Sequence, residues 1–226
     1  MKTRTMTRTQ AELLLAAVII ARSTSYVLTK VGLQDMGKFT LLAVRFLLAF
    51  AFLAALFWRR LLQIDRRTLL SGLAMGGIYF CVTPGVGYCI LEAFLYSAAI
   101  LVTDRLTHAG ADPLLSGVVQ VGFLGALALI ASFLFETPHL PGSGTEWLVV
   151  LALALVCSGF GFTLQPVAQS GTTADHAALF CALNPFVAAA LGAVCFHEHF
   201  GIAGLLGGAL ILAGIVVSCW PQKTGG

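Results

Sequence analysis

Arg22, Glu92, Tyr96, Gln165 and Asn184 are polar side chains set within otherwise apolar sequence, and their types could do chemistry. An arginine in mid-segment carries about 2.5–3.5 kcal/mol of insertion cost, which makes it a site candidate by default. Its guanidinium suits an anionic group of a substrate, or a carboxylate of the chain such as Glu92. Glu92 is a natural proton carrier, because apolar surroundings raise the pKa of a carboxyl group. A pair of Arg22 with Glu92 is the more economical alternative, since it discharges two costs at once. The plainest alternative for Arg22 is a side chain that snorkels to the interface. Asn184 precedes Pro185, and proline removes one backbone bond and frees a carbonyl, so this dipeptide is expected to break its helix locally. Broken helices often line transport cavities, and a simple kink is the alternative. Gln165 is a further polar side chain late in the chain.

Other motifs point to structure rather than chemistry. His197-Glu198-His199 has metal-ligating types, but consecutive loop residues make a poor ligand set, so no metal is expected. The six cysteines lie within or at the ends of apolar runs and none is spaced C-x-x-C, so they read as small buried hydrophobes. Gly72/Gly76 and Gly204/Gly208 are small-xxx-small pairs that let helices approach closely. Nucleophile elbow, phosphate loop, dinucleotide fingerprint and metalloprotease motif are all missing. With so sparse a polar inventory an enzyme is not expected, nor a cofactor.

The elements that must position these residues are membrane helices. Hydrophobic residues make up 58% of the chain and charged ones 10%, a composition that a soluble globule could hardly keep in solution. A bilayer core needs roughly 20 apolar residues in a helix. Runs at about 11–33, 39–58, 68–83, 86–103, 114–135, 146–164, 176–197 and 201–220 supply that repeatedly. Helix is the form that satisfies every backbone N–H and C=O in lipid, and the runs lack the alternation of a membrane barrel. The expected fold is therefore an all-α membrane protein of about eight transmembrane helices. The least distinct boundary is Thr83-Pro84-Gly85-Val86-Gly87, the one turn signal within 68–103.

Basic residues set the orientation. With a cytoplasmic N-terminus, the inside loops hold Lys2, Arg4, Arg8, Arg59, Arg60, Arg66, Arg67, Arg105 and Lys223, and the outside loops hold Lys38. This bias places both termini in the cytoplasm of a multi-pass protein of the cell (inner) membrane. The net charge of +3 then concerns orientation and lipid, so nucleic acid is not an expected partner. Arg22 interrupts the first apolar run and no small-residue cleavage site follows, which reads as a retained first helix rather than a signal peptide.

The chain also repeats itself weakly. Arg22-Ser23 stands eight residues before Lys30, as Tyr96-Ser97 stands before Asp104, and Arg45 matches Gln120 when Lys38 is set against Pro113. Spans one to three thus align with spans four to six and begin on opposite sides of the membrane, as in the inverted repeats of secondary transporters. Tyr96 and Gln120 become cavity candidates by this repeat position. The result is an incomplete inverted repeat of three plus five helices. Its expected division is a tail at 1–10, a truncated repeat at 11–85, a second repeat at 86–220 and a tail at 221–226. The imbalance raises the expectation of a homodimer as the working unit.

Ser25 to Leu33, Leu41 to Ala49 with its Arg45-Phe46 pair, and Ala177 through Leu183-Asn184-Pro185, Glu198 and Gly207-Gly208-Ala209 to Gly214 carry a resemblance. Across nearly the whole chain the sequence resembles the EamA-type transporters of the drug/metabolite transporter superfamily. The resemblance implies inverted repeats, normally ten helices in all, and movement of metabolites, amino acids or drugs by alternating access. Here the first repeat lacks two helices near 82–87, and Arg22-Ser23 stands where the family usually has Trp-Gly. Lys30, Arg45 and Glu198 match family positions; Lys30 and Arg45 are expected to snorkel from helix ends. The alternative is a degenerate member that inserts without transporting, as an interaction protein or a decayed gene product.

Overall fold

Asp112, Ser143 and Thr173 each start a helix by accepting a backbone N–H, and these caps cut the apolar sequence into separate rods. The computed structural model describes residues 6–32, 36–82, 89–197, 201, 204, 206–210 and 213; the side chains of 31–32, 81–82, 89–96 and 174–175 lie outside that description. The helices are α1 (Arg8–Gly32), α2 (Lys38–Leu61), α3 (Arg66–Val82), α4 (Cys89–His108), α5 (Pro113–Phe135), α6 (Gly144–Ala152), α7 (Thr163–Gln169) and α8 (Ala174–Phe196). A π-helical stretch, Leu153–Phe162, joins α6 to α7 into one continuous span, Gly144–Gln169. Helical backbone recurs at 204, 206–210 and 213 in the eighth expected run. No strand occurs among the described residues. The fold is all-α, and the described helices lie in the apolar runs.

Local chemistry explains the breaks. Asp112 accepts from Leu114 N at 3.0 Å and Leu115 N at 3.2 Å, with Pro113 at the first helical position, where its missing N–H costs nothing. Ser143 accepts from Glu146 N at 3.2 Å while Glu146 accepts from Gly142 N at 2.8 Å, a reciprocal cap. α2 has no side-chain cap of its own. Glu136, just past the end of α5, accepts instead from Phe39 N at 3.0 Å and Thr40 N at 2.9 Å.

Five described segments are long and apolar enough to cross a bilayer: Arg8–Lys30, Lys38–Leu61, Pro113–Phe135, Gly144–Gln169 and His176–Phe196. At 17 residues α3 is about 26 Å long, the short glycine-rich span that the sequence suggests. Large apolar side chains such as Phe133, Leu134, Phe135 and Val194 point outward, as lipid permits and water does not. The interior holds Phe46, Leu53, Met75, Tyr79, Val118, Leu124 and Phe162.

α1 lies on Gly144–Gln169 and on α8, α4 lies on α3, and α2 and α5 face each other, with α3 on α5 and Gly144–Gln169 against both α2 and α5. At the α3–α5 contact a Cβ on Gly72 would overlap the Val119 side chain and come within 2.7 Å of Ser116 O, so glycine is what permits this approach.

Two expectations need correction. α8 runs through Asn184-Pro185 without a break. Proline removes only one bond of the ladder, and a helix held against α1 on either side of that gap continues. The irregular backbone lies elsewhere, in the π-helical stretch and at Phe57 (φ −112°, ψ 18°) near the end of α2. Arg45 also does not snorkel: it is 9% exposed and lies inside the bundle, because α2 turns that face towards α5 and Gly144–Gln169 rather than towards an interface.

Candidate functional site

Arg22, at the middle of α1, points into the bundle and meets Gln165 of α7. Its Nη1 donates to Gln165 Oε1. The Gln165 amide donates in turn to the Tyr79 hydroxyl of α3 at 3.0 Å and approaches Cys181 Sγ of α8 at 3.9 Å. The guanidinium also lies over aromatic rings, with Cζ 4.2 Å from the Phe162 centroid and 5.6 Å from that of Tyr79. Both distances fall in the range where a cation is attracted to a ring face. Gly161 makes room: a Cβ there would sit 2.7 Å from Arg22 Cγ. The site thus draws on α1, α3, the Gly144–Gln169 span and α8.

The next residue of α1 extends the cluster. Ser23 is buried, and its hydroxyl donates towards Asn184 Oδ1 at 2.7 Å and Asn184 O at 3.1 Å. Asn184 is therefore one polar contact between α8 and α1, beside that of His176 with Arg8. Tyr79 and Phe46 both meet Phe162 edge-on, at 5.5 Å and 5.1 Å between centroids, and Arg45 lies over the Phe46 ring at 4.7 Å. An aromatic line thus connects the two arginines.

The π-helical stretch forms one wall. π-Helical turns are rare and recur at functional sites, because the wider turn redirects side chains and backbone groups. Here it ends at Phe162, and buried oxygens Ser158 Oγ and Thr163 Oγ1 have no hydrogen-bond partner among the described residues. Gln120 Oε1 of α5 is in the same state. Unsatisfied polar atoms are uncommon in a folded interior, and several in one region mark it as unusual.

Of the five residues singled out in the sequence, Arg22, Gln165 and Asn184 belong to this cluster. Glu92 and Tyr96 fall on the α4 backbone, and their side chains lie outside the described residues, as does a pair between Arg22 and Glu92. Glu198 and His199 also lie outside them. Lys30 sits near its helix end, with Nζ 4.5 Å from the Phe196 centroid. Among the described residues no three metal-ligating side chains come together. Tyr79, Phe162 and Ser23 are additions. Ser23 was adjacent to Arg22, but Tyr79 and Phe162 had no cue in their apolar runs.

The sequence profile of the EamA-like transporter family matches residues 83–220, more than half of the chain. The chain belongs to that family. This EamA-like protein is 26% identical over 167 residues to an Archaeoglobus fulgidus protein described as an uncharacterized transporter. That match takes in 71% of this chain and 59% of the relative, so the chain spans well under the relative's full length. A solved crystal structure superposes with a TM-score of 0.65 over 97% of this chain and 100% of the other, at 17% identity, which is a likeness of fold. The family and the long apolar helices make the chain a multi-pass membrane protein.

Proposed function

We propose that this EamA-like protein moves a small organic molecule across the inner cell membrane by alternating access, with both termini cytoplasmic. The observation that carries the reading is the polar cluster of Arg22, Gln165, Tyr79, Ser23 and Asn184 in the apolar interior. Groups that cost insertion energy are kept inside membrane proteins where they serve a substrate or ion path. The cluster lies where α1 and α8 meet α3 and α7, between the proposed units 11–85 and 86–220. Glu92 and Tyr96 of α4 would complete its lining. Rocking of one unit against the other would expose it alternately to the two sides. The orientation rests on the basic residues Arg59, Arg60, Arg66, Arg67 and Arg105 at one end of the bundle.

The test is a resistance and metabolite-export screen of cells overproducing the full chain, followed by uptake into proteoliposomes. Arg22→Trp is expected to change the profile without changing membrane abundance. An identical profile in Arg22→Trp, or no movement of any compound by the wild type, overturns the reading. Crosslinking in the same membranes tests the proposed pairing of two chains: measurable transport by a chain that crosslinks only as monomer removes it.

A further inference from the structure

We propose that Arg45, acting with Arg22, forms a binding site for an organic anion that presents a carboxylate or phosphate group. The inference rests on the transport reading and names the class of its substrate. Arg45 is 9% exposed, and its Nε is fully enclosed with no hydrogen-bond partner. Among the described residues no carboxylate pairs with it, and its ring contact is with its own neighbour Phe46. Arg45 lies over the Phe46 ring, Phe46 meets Phe162 edge-on at 5.1 Å, and the Arg22 guanidinium lies 4.2 Å from the Phe162 centroid, so one aromatic pair links the two arginines. For Arg45, a buried guanidinium with no counter-charge among the described residues is among the costlier states a protein can hold.

An incoming anion relieves that cost. The planar guanidinium offers a fork of donors that matches carboxylate and phosphate oxygens two at a time. Ser158 Oγ and Thr163 Oγ1 on the adjoining wall are buried hydroxyls free to donate a further bond. Phe46, Phe162 and Tyr79 supply apolar surface for the body of the molecule. Arg22 keeps its bond to Gln165 throughout, so the site uses its charge and does not require its release.

The test uses the full chain in phosphatidylcholine nanodiscs at fixed ionic strength, held with chloride. Thermal unfolding midpoints and calorimetric titrations are recorded with succinate, inorganic phosphate and glycerol 3-phosphate, and with alanine and choline as zwitterionic and cationic controls. At least one of the three anions should raise the midpoint, and which one does separates carboxylate from phosphate. Arg45→Gln should weaken that binding by about 10-fold or more, and Arg45→Lys by less, because it keeps the charge and loses the fork. If Arg45→Gln does not fold, Arg22→Gln and Arg45→Lys carry the same comparison. Binding unchanged in the Arg45 variants, or protection by alanine or choline with none from the anions, overturns the anion site and leaves the transport reading standing. Anions that bind through Arg45 in a chain that moves no compound in proteoliposomes support the site and overturn the transport reading instead.

Discussion

Gln165→Leu removes the amide that joins Arg22 to Tyr79 at little change in side-chain volume. Two bonds disappear, one from the guanidinium to Gln165 Oε1 and one from Gln165 Nε2 to the Tyr79 hydroxyl at 3.0 Å. Bonds to charged groups in soluble proteins contribute about 1.5–3 kcal/mol and neutral ones about 1 kcal/mol. Hydrogen bonds between helices in a bilayer are weaker, averaging about 0.6 kcal/mol and reaching about 1.7 kcal/mol, because the unfolded chain in the membrane also finds partners. Gln165 and Tyr79 are both buried, so water does not replace the lost bonds. Taking the upper membrane value for the charged bond and the average for the neutral one gives a loss of about 2 kcal/mol, about 30-fold in the unfolding equilibrium. The assay is reversible unfolding in mixed detergent micelles, followed by near-ultraviolet circular dichroism. Gln165→Glu supplies the internal control: its carboxylate faces Arg22, so it should be at least as stable as the wild type. Tyr79→Phe combined with Gln165→Leu should show a coupling of about 0.6 kcal/mol. A Leu variant within about 0.5 kcal/mol of the wild type, or a Glu variant as unstable as the Leu one, would refute the reasoning.

Two further outcomes follow from the ends and seams of the bundle. Gly72→Leu should separate α3 from α5, because even a Cβ would lie 2.7 Å from Ser116 O; the expected loss is about 1–3 kcal/mol, read in the same unfolding assay, with Gly77→Leu as the milder control. At Glu136 burial works to raise the carboxyl pKa, and bonds from the Phe39 and Thr40 backbone and the Thr40 hydroxyl outweigh it, so the group is held below its ordinary value of 4.5. Its contribution is then complete above the unfolded pKa and fades as pH falls through the lower folded value. Glu136→Ala should lose about 0.5 kcal/mol at pH 7, after discounting an ordinary cap of about 1 kcal/mol for screening, and should lose less than that at pH 3. Equal losses at both values would contradict the capping role.

Much of this architecture was open to reading in one dimension. Long apolar runs in a nearly charge-free chain leave helix as the one backbone form that lipid tolerates, so the spans followed from composition and length alone. The turn expected at 83–87 lies outside the described residues, and the caps at Asp112, Ser143 and Thr173 went unread in the sequence although short polar side chains act locally. Arg22 was legible because a charge in an apolar run stands out whatever surrounds it. Asn184-Pro185 misled for the same local reason: a proline reads as a break, yet neighbours on α1 keep the helix continuous.

What the sequence by itself determined was the medium, the helical form and the identity of the few side chains that do not belong in lipid. Only the tertiary structure decided which of them meet. Arg22 and Gln165 are 143 positions apart, and their bond depends on how α1 crosses α7. Tyr79 and Phe162 look like ordinary apolar-run aromatics until they stack around that guanidinium. Arg45 looked set to reach an interface, and its burial depends on which face α2 turns inward. Insertion energy is a property of each residue and can be summed along a chain, whereas a contact between helices depends on rotation and tilt, which apolar sequence hardly specifies.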